Sequence, residues 1–369
     1  MKHLVLLGGG HAHLHVLKSI SAQAMAGAQV TLVSPFPRQM YSGMVPGLVA
    51  GHYGLDEVSV ALRPLAVAAK VEFLETSATA IDANAKTVQL LSGDTLAYDV
   101  LSLDTGPVMN RDLIQGARQH ALFVRPIEHF NRLWAALFEL AQARALDVVV
   151  VGGGAAGVEL VMALHHRLCT VAKTGARLSL VTGGTAPLAS HSFSVQARVK
   201  QALKRRQITV FEDTCLEVRE GTLLLGSGAR LACDAPVMAL GSSAPTWLSN
   251  SGLALDEAGF IATGNTLQST SHPDVFAAGD VASRADVSRP RSGVYAVRAG
   301  PPLEANLRLH IGGGALLPYQ PQPRSLNLLS CGDRTAIASW GDWTLQGGWV
   351  WRWKDKIDKE FVGRYRVGY

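Results

Sequence analysis

The sequence predicts an α/β protein built from two units that each contain a parallel sheet. Two segments carry this prediction, Leu4-Val5-Leu6-Leu7-Gly8-Gly9-Gly10 and Val148-Val149-Val150-Val151-Gly152-Gly153-Gly154. In each, an apolar run typical of a buried strand ends in a glycine turn, and an apolar helical stretch follows (residues 14–20 and 158–164). A strand, a tight turn and a helix form the basic unit of a parallel sheet, so the chain contains this unit twice.

The composition fits a folded protein with buried sheets. The chain has 369 residues, of which 48% are hydrophobic and 17% are charged, enough for two or three domains with their own cores. The net charge is +5, but the basic residues are dispersed, and the one tight run, Lys204-Arg205-Arg206, ends a predicted helix. We therefore expect no nucleic-acid partner.

Cysteine usage and the start of the chain indicate the compartment. The four cysteines show no CxxC spacing, which favours a reducing environment. The chain enters its first strand within three residues of Met1, and its apolar runs are too short or too interrupted to span a bilayer. We expect a cytoplasmic protein without a signal peptide, with peripheral attachment to the inner membrane as the alternative.

The first unit continues with alternating elements. The helix after Gly10 extends to about residue 26, and further strands are predicted at 29–33, 71–74, 87–90 and 100–103. The last strand ends at Asp104-Thr105-Gly106-Pro107, a sharp exit with no side chain at its tip.

The second unit repeats the scheme and is followed by a smaller C-terminal part. Predicted strands at 148–151, 177–182, 208–211 and 235–240 alternate with helices at 155–168 and 193–206, and the last strand runs into Gly241. A short strand then ends at Gly279-Asp280, before a helix over 293–310. After a Pro/Gly-rich linker, strands near 326–331 and 335–340 predict a β-hairpin, and a terminal helix begins at about residue 349.

The glycine turns carry the first functional hypothesis. Such a turn directs backbone N–H groups and the positive end of the helix dipole toward a pyrophosphate. One turn alone is a weak signal, but two at domain spacing predict two bound dinucleotides, with electron transfer between them.

The two turns and Val275-Phe276-Ala277-Ala278-Gly279-Asp280 together resemble the two-dinucleotide-binding flavoproteins, the pyridine nucleotide–disulfide oxidoreductases. That group includes type II NADH dehydrogenases and sulfide:quinone oxidoreductases. The resemblance covers residues 1 to about 310 and implies a glutathione-reductase-like fold with two Rossmann-like dinucleotide-binding domains. The implied division is a discontinuous FAD-binding domain (1–110 and 250–325), an NAD(P)H-binding domain (111–249) and a C-terminal interface module (326–369).

The resemblance also implies the cofactor sites. In such proteins the first turn holds the FAD pyrophosphate, the second turn holds NAD(P)H, and the Gly-Asp aspartate, here Asp280, bonds the ribityl chain of the flavin. The residues expected at the two cofactors are Gly8, Gly10, His13, Ser34, Thr105, Gly106, Gly279, Asp280, Pro301, Gly152, Gly154, Gly157 and Gly241.

Glu159 is the candidate catalytic residue. It lies two positions after Gly157, in the first turn of a predicted helix, where the helix dipole alone favours a carboxylate. In type II NADH dehydrogenases a Gly-Val-Glu-Leu stretch sets this glutamate near the flavin–nicotinamide contact, and both interpretations stay open. His11 and His15 have metal-ligand spacing on one helical face, but no carboxylate lies nearby in sequence, and we expect no metal site.

Several positions depart from the family pattern. His13 stands where a third glycine is usual, so helix and strand are expected to pack less closely there. The strand at 29–33 runs into Ser34, without the acidic residue that holds the adenosine ribose. Thr182-Gly183-Gly184 offers neither a carboxylate for NADH nor an arginine for NADPH, so the choice of nicotinamide stays open.

The positions of the cysteines narrow the redox chemistry. The window in which disulfide reductases carry a CxxxxC pair holds Tyr41 to Pro46 and no cysteine, which excludes reduction through an internal dithiol. Cys331 and Cys169 are the candidates for the flavin-flanking cysteines of sulfide:quinone oxidoreductases, but a buried structural role is favoured for both. Arg298 and Pro301-Pro302 replace the glutamines that type II NADH dehydrogenases carry near the quinone.

The turn at Gly8–His13, the segment Tyr41–Gly47 and the tail Trp349–Arg366 look like a type II NADH dehydrogenase-like subgroup that is sometimes fused to selenophosphate synthetase. The resemblance implies an FAD-dependent NAD(P)H dehydrogenase that passes electrons to a quinone or another small acceptor. The alternatives are an oxidoreductase of sulfide or selenium species, and a flavin-binding regulatory partner with little turnover.

The tail is amphipathic if helical. Its apolar residues fall on one helical face: Val350, Trp353, Ile357, Phe361 and Tyr365. Such a helix suits either a membrane interface or packing on the protein's own sheet. We favour packing, within the chain or in a homodimer, because Asp355, Asp358 and Glu360 interrupt the basic face.

Overall fold

The computed structural model describes residues 1–287 and 291–367. Residues 288–290, inside the predicted FAD-binding domain, and residues 368–369, at the end of the predicted C-terminal module, lie outside the described residues. The two largest sheets are parallel and five-stranded, as the two glycine turns predict, and smaller sheets flank them.

The first unit surrounds the first glycine turn. Its elements are β1 (Lys2–Leu7), α1 (His11–Ala22), β2 (Ala28–Val33), β3 (Arg38–Met40), α2 (Val45–Val49), β4 (Ser59–Ala61), α3 (Leu62–Ala69), β5 (Glu72–Leu74), β6 (Ala78–Asp82), β7 (Thr87–Leu90), β8 (Thr95–Ala97) and β9 (Val100–Leu103). Strands β6, β7 and β8 form a separate antiparallel sheet beside the parallel one.

The second unit surrounds the second glycine turn. Its elements are α4 (Ala117–His120), β10 (Leu122–Phe123), α5 (Ile127–Ala143), β11 (Asp147–Val151), α6 (Ala155–His165), β12 (Arg177–Val181), α7 (Phe193–Arg205), β13 (Thr209–Phe211), β14 (Cys215–Arg219), β15 (Thr222–Leu225), β16 (Arg230–Ala232) and β17 (Ala235–Met238). The helix predicted to residue 168 changes type before its end, because a π-helical turn (His166–Val171) follows α6.

The chain then returns to the first unit and ends in a small module. The remaining elements are β18 (Ile261–Thr263), β19 (Val275–Ala277), β20 (Ala282–Arg284), α8 (Gly293–Gly312), β21 (Asn327–Ser330), β22 (Ala336–Trp340), β23 (Trp343–Gly347) and α9 (Gly348–Tyr365). Strand β19 pairs with β9, which supports a discontinuous first domain, although its predicted boundaries stay a prediction. The predicted hairpin gains a third strand, β23, across the two-residue turn Gly341-Asp342.

The two parallel sheets have the same arrangement. Their strand orders are β19-β9-β1-β2-β5 and β10-β17-β11-β12-β13, so the strand before each glycine turn is the middle strand. The apolar runs of β1 and β11 are buried, with Leu4 and Val148 fully inaccessible. Helices pack on one face of each parallel sheet, and a small antiparallel sheet, β6–β8 or β14–β16, packs on the other. Both glycine turns leave the carboxyl ends of their strands where the strand order reverses, which is where open α/β sheets bind ligands.

The C-terminal helix α9 packs on the chain, as favoured from the sequence, but through a different face. Val350, Phe361 and Tyr365 are buried, whereas Trp353 and Ile357, expected on the same face, are 40% and 39% exposed. Lys354 and Asp358 take the buried positions instead, because they pair with each other beneath the helix. No helix in the described part of the chain combines the length and apolar character needed to cross a bilayer.

Candidate functional site

The carboxyl edge of the first sheet opens into a cavity of about 500 Å³. The first glycine turn, the segment after β2, the exit of β9 and the start of α8 form its wall. Six of the residues predicted at a cofactor meet there: Gly8, Gly10, Ser34, Thr105, Gly106 and Asp280.

The glycines of the first turn are required by the close approach of β9. Gly8 has φ of +94°, and a Cβ at this position would lie 2.5 Å from the carbonyl oxygen of Asp104. A Cβ on Gly10 would lie 2.3 Å from the carboxyl carbon of the same residue. The glycines of the turn therefore leave the space that Asp104 fills.

Asp104 is a site residue that the sequence did not single out. It ends β9 and is only 3% exposed, yet it belongs to the cavity wall. Its Oδ2 accepts hydrogen bonds from the backbone N–H groups of Ala12 (2.7 Å) and His13 (3.0 Å) at the start of α1. Burial raises the pKa of this carboxyl to about 7, against the lowering effect of the two N–H groups.

His13 lies beneath the turn, which corrects the expectation that it contacts the pyrophosphate. Its side chain is fully buried, with Nδ1 2.6 Å from the carbonyl oxygen of Gly8 and Nε2 2.8 Å from the hydroxyl of Ser102. Its backbone N–H is bound to Asp104. All three polar groups are committed to the protein, so the imidazole supports the turn where the usual third glycine would allow closer packing.

His11 faces the cavity instead. It belongs to the cavity wall, and its buried Nε2 has no hydrogen-bond partner among the described residues. Burial and the nearby guanidinium of Arg125 lower the pKa of His11 to about 4, so the imidazole is neutral at physiological pH. No group of three or more His, Cys, Asp or Glu side chains is arranged to hold a metal ion within residues 1–287 and 291–367.

Three arginines and two further carboxyl groups also line the cavity. Arg38, Arg111 and Arg125 belong to its wall; Arg38 pairs with Glu128 at 2.7 Å, and Arg125 lies 3.8 Å from Asp280. Burial raises the pKa of Asp280, and Arg125 and Arg291 oppose this. Gly279, just before it, has φ of +69° and leaves space for Asp104 Oδ1, which would lie 2.5 Å from a Cβ.

These features fit a flavin dinucleotide. Gly106 has φ of +71° and no atom within 4 Å of a Cβ position, so it leaves a bare stretch of cavity wall. Guanidinium groups can hold phosphates, and the Asp280 carboxylate can accept hydrogen bonds from sugar-alcohol hydroxyl groups. Ser34 Oγ donates to the carbonyl oxygen of Phe36 at 3.4 Å and is the polar side chain where an acidic residue is usual.

Pro301 lies apart from the cavity, contrary to expectation. It is exposed inside α8, and neither Pro301 nor Pro302 belongs to the cavity wall. The preceding Gly300 explains the motif, since a Cβ there would lie 2.7 Å from the Cβ of His15. Gly300 therefore allows the close packing of α8 on α1.

The second glycine turn opens to the surface. A Cβ on Gly152 would lie 2.2 Å from the carbonyl oxygen of Ala239. A Cβ on Gly157 would lie 1.9 Å from the carbonyl oxygen of Gly152, so both positions require glycine. Gly154 has no atom within 4 Å of a Cβ position. Gly241, beyond β17, is exposed in the same way. Among the described residues no side chain accepts from the first N–H groups of α6, which leaves them available to a phosphate.

Glu159 lies at the C-terminal module and not in the cavity wall. Its Oε1 accepts a hydrogen bond from the backbone N–H of Ser330 at 2.7 Å. Burial raises the pKa of Glu159 to about 7, and the ammonium group of Lys354 acts in the opposite direction. The structure therefore brings Glu159 together with α9, a neighbour that the sequence did not indicate.

The cysteines lie away from the cavity wall. Cys331 is fully buried, and the half-buried Cys169 donates to the carbonyl oxygen of Ala176 at 3.1 Å. Burial raises the pKa of both thiols, which disfavours the thiolate form needed for reaction.

Comparison with known proteins agrees with this architecture. The chain is 25% identical over 352 residues to demethylphylloquinone reductase NdbB of Synechocystis, covering 91% of this chain and 86% of the relative. It is 25% identical over 328 residues to the type II NADH:quinone oxidoreductase of Haemophilus influenzae, covering 77% and 74%. The structure of the sulfide:quinone oxidoreductase of Aquifex aeolicus superimposes with a TM-score of 0.82 at 19% identity, covering 99% of this chain and 91% of that one.

A family match covers most of the chain, residues 2–300. It includes both glycine turns and the strand that ends at Asp280. The protein therefore belongs to the pyridine nucleotide-disulphide oxidoreductase family, the FAD-dependent oxidoreductases that use a pyridine nucleotide.

Proposed function

We propose that the protein is an NAD(P)H dehydrogenase that binds FAD in the large cavity and NAD(P)H at the second glycine turn. The observation that carries this proposal is the equivalence of the two turns. Each follows the middle strand of a five-stranded parallel sheet, one turn opening into the cavity and the other to the surface. When bound, FAD supplies the two-electron chemistry that links a nicotinamide to an acceptor.

The residues of the chain position the cofactors. Asp280 is placed to accept hydrogen bonds from the ribityl hydroxyl groups, and Arg125 beside it limits the cost of a buried charge. His11 adds a neutral imidazole to the cavity wall, with its ring close to those of Tyr41 and Phe361. The open face of Gly154 and the start of α6 would hold the nicotinamide dinucleotide by its pyrophosphate.

A quinone is the acceptor that the relatives favour. The two relatives named above are reductases of demethylphylloquinone and of quinone. We extend that acceptor class to this chain as part of the proposal. Both NADH and NADPH are candidate donors. The hydroxyl of Thr182 donates to the carbonyl oxygen of Thr185, and Gly183 has no atom within 4 Å of a Cβ position, so neither residue selects between the two nucleotides.

Oxidation of sulfide or selenium species is the second candidate. A sulfide-quinone reductase of Aquifex aeolicus that is 29% identical over 174 residues, 45% of this chain, favours it. The positions of the cysteines argue against a mechanism that uses flavin-flanking cysteines, because Cys331 is buried and the thiol of Cys169 donates a hydrogen bond to a backbone carbonyl oxygen. A link to selenium stays a prediction from the sequence resemblance.

The test is anaerobic reduction of the purified protein. We expect FAD to be identified by mass, NADH or NADPH to bleach the flavin absorbance, and a soluble quinone to restore it. Bleaching by sulfide but not by NAD(P)H would establish the second candidate instead. A bound flavin that no donor reduces would indicate a regulatory partner, and a protein that stays colourless after incubation with FAD would contradict the cofactor assignment.

A further inference from the structure

Asp104 occupies the place that a helix N-terminus ordinarily offers to a phosphate. The N–H groups of Ala12 and His13, in the first turn of α1, point to Asp104 Oδ2. The N–H of Gly10 donates to the backbone carbonyl oxygen of Asp104 at 3.1 Å. In a glycine turn of this kind such donors hold the pyrophosphate. Here a carboxyl group from the neighbouring strand β9 holds them first.

The other carboxyl oxygen of Asp104 faces the cavity. A Cβ on Gly10 or on Gly279 would lie 2.4 or 2.5 Å from Oδ1, so both glycines leave the space that this oxygen fills. Asp104 belongs to the cavity wall, and no donor to Oδ1 is found in the described part of the chain. Asp104 is only 3% exposed, so an ionised carboxyl group there is poorly solvated, and Oδ1 can donate a hydrogen bond into the cavity only if it carries a proton.

The groups around Asp104 favour that proton. Asp280 faces it from the turn after β19, and α1 contributes His11 and His13, whose pKa values burial lowers to about 4. Arg125 and Arg291 act on Asp280 and lower its pKa. None of the ion pairs among the described residues includes Asp104. An incoming pyrophosphate would add further negative charge to a cavity whose wall already holds three carboxyl groups, those of Asp104, Glu128 and Asp280.

We propose that Asp104 serves the FAD pyrophosphate as a neutral acid. Oδ2 accepts from the N–H groups of Ala12 and His13, and the proton on Oδ1 is donated to a phosphate oxygen. This inference rests on the proposed function, because it needs FAD in the cavity. No covalent bond changes. Where Asp104 is ionised in the free protein, binding of FAD takes up one proton from solvent.

The consequence is a pH-dependent affinity. The pKa of Asp104 is raised to about 7 in the free protein, and a neighbouring phosphate raises it further. Above about pH 7, each FAD bound must therefore bring a proton, so Kd rises by about tenfold per pH unit until the pKa of the bound state is reached. Below about pH 7 the proton is already present, and Kd is level.

The first experiment titrates the apoprotein with FAD and follows flavin fluorescence from about pH 6 to about pH 9. The wild type should show the rise in Kd. Asp104→Asn should show a level Kd and bind FAD more tightly than the wild type at the alkaline end, because its amide accepts and donates at the same places without titrating. Asp99→Asn is the matched control: Asp99 precedes β9, accepts the N–H of His3 at 2.6 Å and is exposed, so its variant should keep the wild-type profile.

The second experiment needs no variant. Calorimetry of FAD binding to the wild type at about pH 8, in buffers of different ionisation enthalpy, counts the protons taken up, and a value near one is expected. A value of zero, or an Asp104→Asn variant with the wild-type slope, would overturn the inference while leaving FAD binding intact. Failure of the wild type to bind FAD at every pH would overturn the proposed function and this inference with it.

Discussion

Lys354 and Asp358 form an ion pair of 2.6 Å inside the protein, one turn apart on α9. Their side chains are 9% and 7% exposed. The ammonium group of Lys354 also donates to the carbonyl oxygen of Gly43 at 2.7 Å. The pair therefore fastens the C-terminal helix to the turn that follows β3, next to the first glycine turn.

The pair predicts a large effect of removing one partner. Lys354→Met leaves the Asp358 carboxyl buried without its cation and should reduce the free energy of unfolding by about 3–5 kcal/mol. Urea denaturation measures the loss. The control is Lys356→Met. Lys356 lies 3.8 Å from Glu360 in an exposed ion pair, so this variant should change the free energy of unfolding by less than about 1 kcal/mol. The double variant Lys354→Met/Asp358→Leu should recover much of the loss, and equal effects of the two single lysine variants would contradict the prediction.

Gly154 and Gly157 separate binding from folding. Gly154→Val should abolish flavin reduction by NAD(P)H while FAD content stays normal. A Cβ at this position contacts no protein atom within 4 Å, so the fold should tolerate valine, but the side chain would occupy the space proposed for the pyrophosphate. Stopped-flow absorbance measures the reduction. Gly157→Val should instead impair folding, since its Cβ would lie 1.9 Å from the carbonyl oxygen of Gly152. A normal rate of reduction in Gly154→Val would show that the nicotinamide binds elsewhere.

Asp280 should govern retention of FAD. Asp280→Ala removes a buried acceptor beside Arg125, and hydrogen bonds to charged groups contribute about 1.5–3 kcal/mol, so FAD affinity should fall roughly 10- to 100-fold. Equilibrium dialysis gives the Kd. Asp286→Ala, which breaks an exposed pair with Arg284, is the control and should retain FAD. An Asp280→Ala protein with wild-type affinity would place the ribityl chain away from this residue.

Glu159 should make stability depend on pH. Its pKa rises from 4.5 to about 7 on folding, so between these values the native state holds a proton that the unfolded state has lost. Its contribution therefore lowers the free energy of unfolding as pH rises through this window. Glu159→Gln should remove that loss, and its advantage over the wild type should grow from about pH 4.5 and level off above about pH 7.

The measurement is urea unfolding at a series of pH values, with Glu220→Gln as the control at an exposed position. The control should follow the wild type throughout. A constant difference between Glu159→Gln and the wild type at all pH values would contradict the raised pKa and indicate a loss of packing alone.

Local patterns predict the two parallel units, because the apolar run of each central strand, β1 or β11, and the glycine turn after it are adjacent in the sequence. Asp104 could not be found this way. Its role depends on β9 lying beside β1, a pairing of distant segments. The same holds for Lys354 and Asp358: their spacing predicts a surface pair on a helix, and only docking on Gly43 buries them. Trp353 and Ile357 lie outside the packed face that the sequence predicts, because helical periodicity does not say which apolar residues a neighbour covers.

The C-terminal module exposes large apolar side chains that predict contact with a membrane interface. Those on β22, β23 and α9 are Trp340, Trp343, Leu345, Trp349, Trp353 and Ile357, and Trp343 is 78% exposed. A concentration of this kind is typical of interaction surfaces, and tryptophan favours the boundary between headgroups and acyl chains. The lysines nearby are already paired, Lys359 with Asp355 at 3.1 Å and Lys356 with Glu360 at 3.8 Å.

These contacts predict binding to lipid vesicles that depends little on salt. Apolar insertion supplies the free energy, and the paired lysines add little attraction to an anionic surface. In co-sedimentation, the full chain should bind neutral and anionic vesicles similarly, and replacing Trp343, Trp349 and Trp353 by serine should abolish binding without unfolding the protein, since all three are exposed. Lys354→Met is unsuitable as a control because it loosens α9; Lys356→Met should leave binding unchanged. Binding confined to anionic vesicles and lost at high salt would show that the charges of α9, and not its tryptophans, meet the lipid.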